Sequence, residues 1–92
     1  MSDKQDFDTK HKAVALHYNY ENDAAPVVVA KGQGYIAQRI EEVAKEWGIP
    51  LKEDSQLADY LMALDLYQEI PPELYSVVAE ILAFIFSMDR KY

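Results

Sequence analysis

Apolar positions along this chain change period several times, and each change marks an element. From Ala13 to Tyr20, the bulky residues Val14, Leu16, Tyr18 and Tyr20 alternate with Ala13, Ala15, His17 and Asn19. A period of two predicts a strand, here with one bulky face and one small face. Glu21-Asn-Asp-Ala-Ala25 supplies turn formers, and Pro26-Val-Val-Val-Ala-Lys-Gly-Gln-Gly34 follows. Three β-branched residues between a proline and two glycines read as a short strand that is apolar on both faces, hence central in a sheet covered on both sides. A connecting loop of about five residues makes the two strands an antiparallel hairpin.

After Gly34 the period lengthens. Ile36, Ile40, Val43 and Trp47 recur at helical spacing with Ala37 and Ala44 beside them, which predicts a helix from Tyr35 to Trp47 with that stripe against the sheet. Gly48 stands where a left-handed C-terminal cap belongs, and Pro50 stops the helix. The short apolar segment Ile49 to Glu53 then completes a βαβ unit, its strand parallel to the central one through a right-handed crossover. Asp54 or Ser55 caps a helix carrying Leu57, Ala58, Leu61, Met62 and Leu64, whose end, between Asp65 and Glu69, the pattern leaves open. Pro71-Pro72 opens a last helix, with Glu73 at the positive end of its dipole and Leu74, Val77, Val78, Ile81, Leu82, Ile85 and Met88 along one face, which Phe84 and Phe86 widen. The expectation is an α/β fold: a small mixed β-sheet of about three strands, one βαβ unit plus a hairpin, flanked by three helices.

A chain of 92 residues makes one domain with a single core. Residues 1–11 carry no periodic pattern and read as a flexible tail, leaving 12–90 as the folded unit. No apolar run approaches the ~20 residues of a membrane span, so no direct membrane insertion is expected. The polar start, Met1 to Lys10, does not read as a signal peptide, and the expected location is cytoplasmic. Without cysteine, disulfides, thiolate chemistry and Cys-rich zinc sites are excluded. A net charge of −7, with acids from Asp3 to Asp89 and basic residues scattered among them, disfavours nucleic acid as a partner.

Candidate chemistry is sparse. His11 and His17 are the only histidines, and no pattern sets an orienting carboxylate and a nucleophile beside either. The carboxylates form no recognisable pair or metal set, so no catalytic residue, metal or cofactor is expected. Lys31-Gly-Gln-Gly34 lies at the carboxyl end of a strand and the start of a helix, a place that binds anions in open α/β sheets. It has too few glycines for the dinucleotide or phosphate-loop patterns.

Several of these segments, taken together, resemble a known family. Ala25-Pro-Val-Val-Val-Ala-Lys-Gly-x-Gly34 is followed by Ile36-Ala-x-Arg39-Ile40, Gly48-Ile-Pro50, Leu57-Ala58 and Ile70-Pro71-x-x-Leu74-Tyr75-x-x-Val78-Ala79-Glu80-Ile81-Leu82-Ala83. With Ala13-Val-Ala-Leu16 and Tyr18, these residues are similar to the signature of the cytoplasmic domain of FlhB, the flagellar type III export switch protein, and of its injectisome counterparts. The likeness runs from Ala13 to Phe86. It implies a small mixed sheet flanked by helices, a cytoplasmic place at the periphery of a membrane export apparatus, and binding to flagellar or type III export substrates or to export-apparatus proteins.

The resemblance also implies differences from the family. Full-length members carry an Asn-Pro-Thr-His loop at which the chain cuts itself by cyclisation of the asparagine. Aligning back from Ala13 puts Asp8-Thr9-Lys10-His11 on that loop, with His11 alone retained. Asp8 lacks the amide nitrogen that cyclises and Thr9 the strained tertiary amide, so a degenerate loop without self-cleavage is expected. The apolar family strand before the loop has no counterpart in Met1 to Phe7, which implies an open sheet edge available to a strand-pairing partner. A family glycine between the last two helices is missing around Leu66-Tyr67, so that connection should differ. The family's membrane domain has no counterpart here, and a short stand-alone form is expected. Residue matching places the family's substrate-docking patch on Ala25, Pro26, Ala79 and Leu82. The leading expectation is therefore a non-enzymatic interaction module using that patch; the alternative is a small anion- or nucleotide-binding protein using the turn from Lys31 to Gly34.

Overall fold

The computed structural model describes residues 10–19 and 21–89, without the side chains of Phe84 and of residues 86–89. Strands β1 (Lys12–His17) and β2 (Val27–Gln33) pair antiparallel, from Lys12 opposite Gln33 to His17 opposite Val27. This is the expected hairpin, and its two faces differ as the alternation requires. Val14 and Leu16 pack into the main core. Gly32, opposite Ala13 and so on the other face, approaches the next helix so closely that a Cβ there would lie 2.1 Å from Ile36 Cγ2. Helix α1 (Tyr35–Glu46) covers this small-residue face, and α2 (Ser55–Met62) covers the bulky one. The register shifts between Ala15 and Leu16, which oppose Ala30 and Val28 and leave Val29 as an extra residue in β2. Such a bulge twists the strand; Val28 is fully buried while Val29 is exposed, so the valine run is not covered evenly on both faces.

No third strand forms where the apolar pattern put one among the described residues. Residues 49–54 have no regular secondary structure, and Ile49 and Leu51 are exposed. No βαβ unit or parallel pair forms among the described residues, because the far edge of β2 is occupied by another segment. Tyr67 N–H donates to the Val28 carbonyl at 2.6 Å, Val28 N–H to the Gln68 carbonyl at 3.0 Å, and Ile70 N–H to the Pro26 carbonyl at 2.9 Å. Glu69 forms an antiparallel bridge to Val27. The stretch between the last two helices, unassigned by periodicity, thus bonds along this edge through an isolated bridge rather than a full strand, so the sheet has two strands, β1 and β2, where about three were expected. Pro50, with no N–H to donate, is a poor ladder residue in any case.

The helices begin and end as their punctuation dictates. Helix α1 closes in a Schellman motif: Gly48 adopts φ 69°, Ile49 N–H donates to the Ala44 carbonyl at 2.8 Å and Gly48 N–H to that of Lys45 at 3.2 Å. The Asp54 carboxylate accepts from Leu57 N–H at 3.0 Å, capping α2. Pro72–Leu74 form a single 3₁₀ turn before α3 (Tyr75–Asp89). Between sheet, α2 and α3 lies the main core: Ala25, Leu57, Leu61, Ile70 and Val78 are buried, with Val14, Leu16, Leu64, Leu74, Val77, Ile81 and Leu82 packed around them.

The buried line of α1 is shifted from the expected stripe. Ala37 and Ala44 are buried, whereas Ile36 and Val43 are exposed and Trp47 is 76% exposed. A sheet face built from Ala13, Ala15, Ala30 and Gly32 lets the helix approach closely, and only small residues fit along the line of contact. The larger apolar residues are displaced to the flank.

Candidate functional site

An apolar groove of about 500 Å³ opens between the start of β2 and α3. One wall comes from the hairpin connection, Ala24, Ala25 and Pro26, with Tyr18 just beyond β1. The other is a face of α3, where Tyr75, Val78, Ala79, Leu82 and Ala83 recur at helical spacing, and Ile70 lies among them. The alanines keep this space open; larger residues at those positions would fill it. No charged side chain lines it.

All four residues of the expected patch, Ala25, Pro26, Ala79 and Leu82, lie in this one groove. Their exposures differ. Ala25 is 1% exposed and belongs to the core, and Pro26 is also buried, so these two form the floor. Leu82 is half-buried and packs against the core, whereas Ala79 is exposed. Tyr18, Ala24, Ile70, Tyr75, Val78 and Ala83 complete the lining without having been singled out in the sequence. The apolar face of α3, broader than one stripe, is the signal that points to Tyr75, Val78 and Ala83; nothing in the pattern points to Tyr18, Ala24 or Ile70.

The Lys31 to Gly34 turn is arranged differently from an anion site. The strand continues through Gln33, leaving Gly34 alone at the turn with φ 65°. The Lys31 ammonium donates to the Met62 carbonyl at 3.0 Å and to the Leu64 carbonyl, where it satisfies the C-terminal end of α2. Gly34 N–H is likewise committed, to the His11 carbonyl at 2.8 Å. A phosphate at this turn would have neither group.

Asp8 and Thr9 of the expected degenerate loop lie outside the described residues. Lys10 is in an exposed turn, and His11 is tied to α1, its Nε2 2.5 Å from Glu41 Oε2. His17 Nδ1 lies 3.5 Å from Asp23 Oδ2. The exposed Arg39 guanidinium is held above its ordinary pKa by its hydrogen bond to Glu42 and then by that carboxylate's charge. Among the described residues no group of three or more His, Cys, Asp or Glu is placed to hold a metal ion, and no helix is long and apolar enough to cross a membrane.

A bulged hairpin clasped between α1 and α2, with α3 set against its opening, is the architecture of the C-terminal domains of type III export proteins. The chain superimposes on the cytoplasmic domain of FlhB from Shewanella putrefaciens with a TM-score of 0.81 at 38% identity, covering 87% of this chain and 63% of that one. It matches the PscU C-terminal domain with a TM-score of 0.77 at 30% identity, covering 82% of this chain and 96% of that one. The model of the FlhB HrpN YscU SpaS family matches residues 8–85, and the chain belongs to this family. It is 45% identical over 79 residues to the uncharacterized protein YlqH of Bacillus subtilis, covering 86% of this chain and 85% of YlqH. It is also 48% identical over 82 residues to the flagellar biosynthetic protein FlhB of Aquifex aeolicus, of which it spans 23%.

Proposed function

We propose that this domain is a non-enzymatic docking module of flagellar or type III protein export, and that export substrates or export-apparatus proteins bind the groove between the β1–β2 connection and α3. The observation that carries this reading is the convergence of Ala25, Pro26, Ala79 and Leu82 on one open apolar space of about 500 Å³. Space of that size takes a few apolar side chains of a peptide segment. A shallow site with a buried floor and an accessible rim gives modest affinity and fast exchange, which suits successive clients. The cytoplasmic placement of the module, at the membrane export apparatus, belongs to the same reading.

Self-cleavage is not part of the proposed function. This rests on the residue matching of the family resemblance, which puts Asp8 and Thr9 in the places of the cyclising asparagine and the proline, and neither residue supplies the required group. Intact-mass spectrometry of purified protein should give the full-length chain alone, and a stable fragment beginning near Thr9 would refute this. The docking itself is tested by fluorescence polarisation with labelled segments of hook and rod export substrates. Binding to the wild type and its loss in Ala79→Asp, a change at an exposed position, is the expected result; equal binding by both proteins would remove the groove from the account.

A further inference from the structure

The lysines, arginines and carboxylates of this chain are unevenly placed relative to the residues that line the groove. Lysines and arginines occur from Lys4 to Lys91, yet none falls between Ala13 and Ala30, where His17 is the one histidine, or between Glu53 and Asp89, the two stretches that supply the whole lining. Both stretches carry acids next to lining residues: Glu21 close before Ala24, Glu69 before Ile70, Glu73 close before Tyr75, and Glu80 beside Ala79 on α3. All four are exposed, and none has an ion-pair partner among the described residues. Asp23 adds to this charge but is engaged locally, accepting from Asn19 N–H at 2.9 Å and lying 3.5 Å from the His17 ring. The cations sit elsewhere: Lys12 pairs with Asp59 at 3.1 Å, Arg39 pairs with Glu42 at 2.9 Å, and Lys31 is bonded behind α2.

We infer that the groove takes an apolar peptide segment flanked by lysine or arginine. The inference rests on the docking reading above and adds the chemistry of the occupant. The uncharged floor selects apolar side chains, and the carboxylates around it select the charge of what lies on either side. Exposed carboxylates act over about a Debye length, ~8 Å at physiological salt. Each pair contributes little alone, but several of one sign steer the approach of a cationic partner and repel an anionic one. The same field turns away phosphate backbones and, at a net charge of −7, a second copy of the chain.

The test uses three synthetic peptides with a common Leu-Phe-Leu-Val centre, flanked at both ends by Lys-Lys, Gln-Gln or Glu-Glu, titrated into isotopically labelled protein and followed by NMR at Ala24, Ala79 and Ala83. Affinity should fall in the order Lys, Gln, Glu, with the lysine peptide roughly three- to tenfold tighter than the glutamine peptide. That advantage should vanish in roughly 0.5 M salt and shrink in a Glu73→Gln/Glu80→Gln double variant, which should bind the glutamine peptide as before. A glutamine peptide that binds as tightly as the lysine peptide at low salt overturns the charge inference and leaves groove docking standing. Absence of groove shifts with all three peptides overturns the docking reading itself.

Discussion

Tyr67 donates its backbone N–H to the Val28 carbonyl oxygen at 2.6 Å while holding a left-handed φ of 68°. The bond joins the far edge of β2 to the turn after α2, at the place where the family resemblance calls for a glycine. The side chain gives little in return, since Tyr67 is 75% exposed. A left-handed backbone costs a non-glycine residue about 1–2 kcal/mol, partly offset in a glycine variant by the greater freedom of the unfolded chain. Tyr67→Gly should therefore stabilise the protein by about 0.5 kcal/mol and Tyr67→Val destabilise it by about 1 kcal/mol or more, read as shifts in the urea midpoint. A Tyr67→Gly variant less stable than the wild type would show that the ring contributes packing.

Gly32 answers to a different constraint, close approach rather than φ. A Cβ at this position would lie 2.6 Å from Ile36 Cβ as well as 2.1 Å from its Cγ2. Ile36 Cβ is fixed to the helix backbone, so rotating the side chain gives no relief and the first turn of α1 must move. Gly32→Ala should cost about 1–3 kcal/mol, measured by thermal or urea unfolding. An unchanged midpoint would mean that α1 sits farther from the sheet.

Lys31 ties the end of β2 to the carbonyls of Met62 and Leu64. Lys31→Met keeps the length of the stem and removes the donors, and should destabilise by about 1–3 kcal/mol. The same geometry predicts that inorganic phosphate and nucleotides leave the melting temperature of the wild type unchanged, whereas a ligand at a hundred times its Kd would add ~2.7 kcal/mol. Stabilisation by a nucleotide that disappears in Lys31→Met would revive the anion-binding alternative.

Trp47 marks where sequence pattern misleads. It continues the helical spacing of Ile36, Ile40 and Val43, but the small face of the hairpin draws α1 in along Ala37 and Ala44 and leaves the indole in water. Trp47 should emit as a solvated indole and be readily quenched by acrylamide, and Trp47→Ser should change stability by no more than about 0.5 kcal/mol. A loss of about 3 kcal/mol or more would return Trp47 to the core.

Local chemistry was the legible part of the fold. The alternation from Ala13, the Gly48 and Pro50 punctuation and the Asp54 cap each act over a few residues and are realised, while the prolines open a 3₁₀ turn from which α3 starts only at Tyr75. Which segment takes the free edge of β2 is a competition between distant parts of the chain, and period alone does not decide it. Ile49 to Glu53 looked more strand-like than the polar turn around Tyr67, yet the turn leaves α2 already beside Val28 and satisfies its N–H and C=O. Part of the groove was legible through the resemblance, which marks Ala25, Pro26, Ala79 and Leu82, but only the folded chain brings Tyr18, Ala24 and Ile70 to them.

The most direct measurement is an NMR titration of labelled wild-type and Ala79→Asp proteins with segments of hook and rod export substrates. Ala79 is exposed on the groove wall, so the variant should keep its fold and its spectrum away from the site. Docking predicts wild-type shifts clustered at Ala24, Tyr75, Ala79 and Ala83, and their absence in the variant. Shifts that cluster elsewhere, or that persist unchanged in Ala79→Asp, would contradict the groove as the binding site.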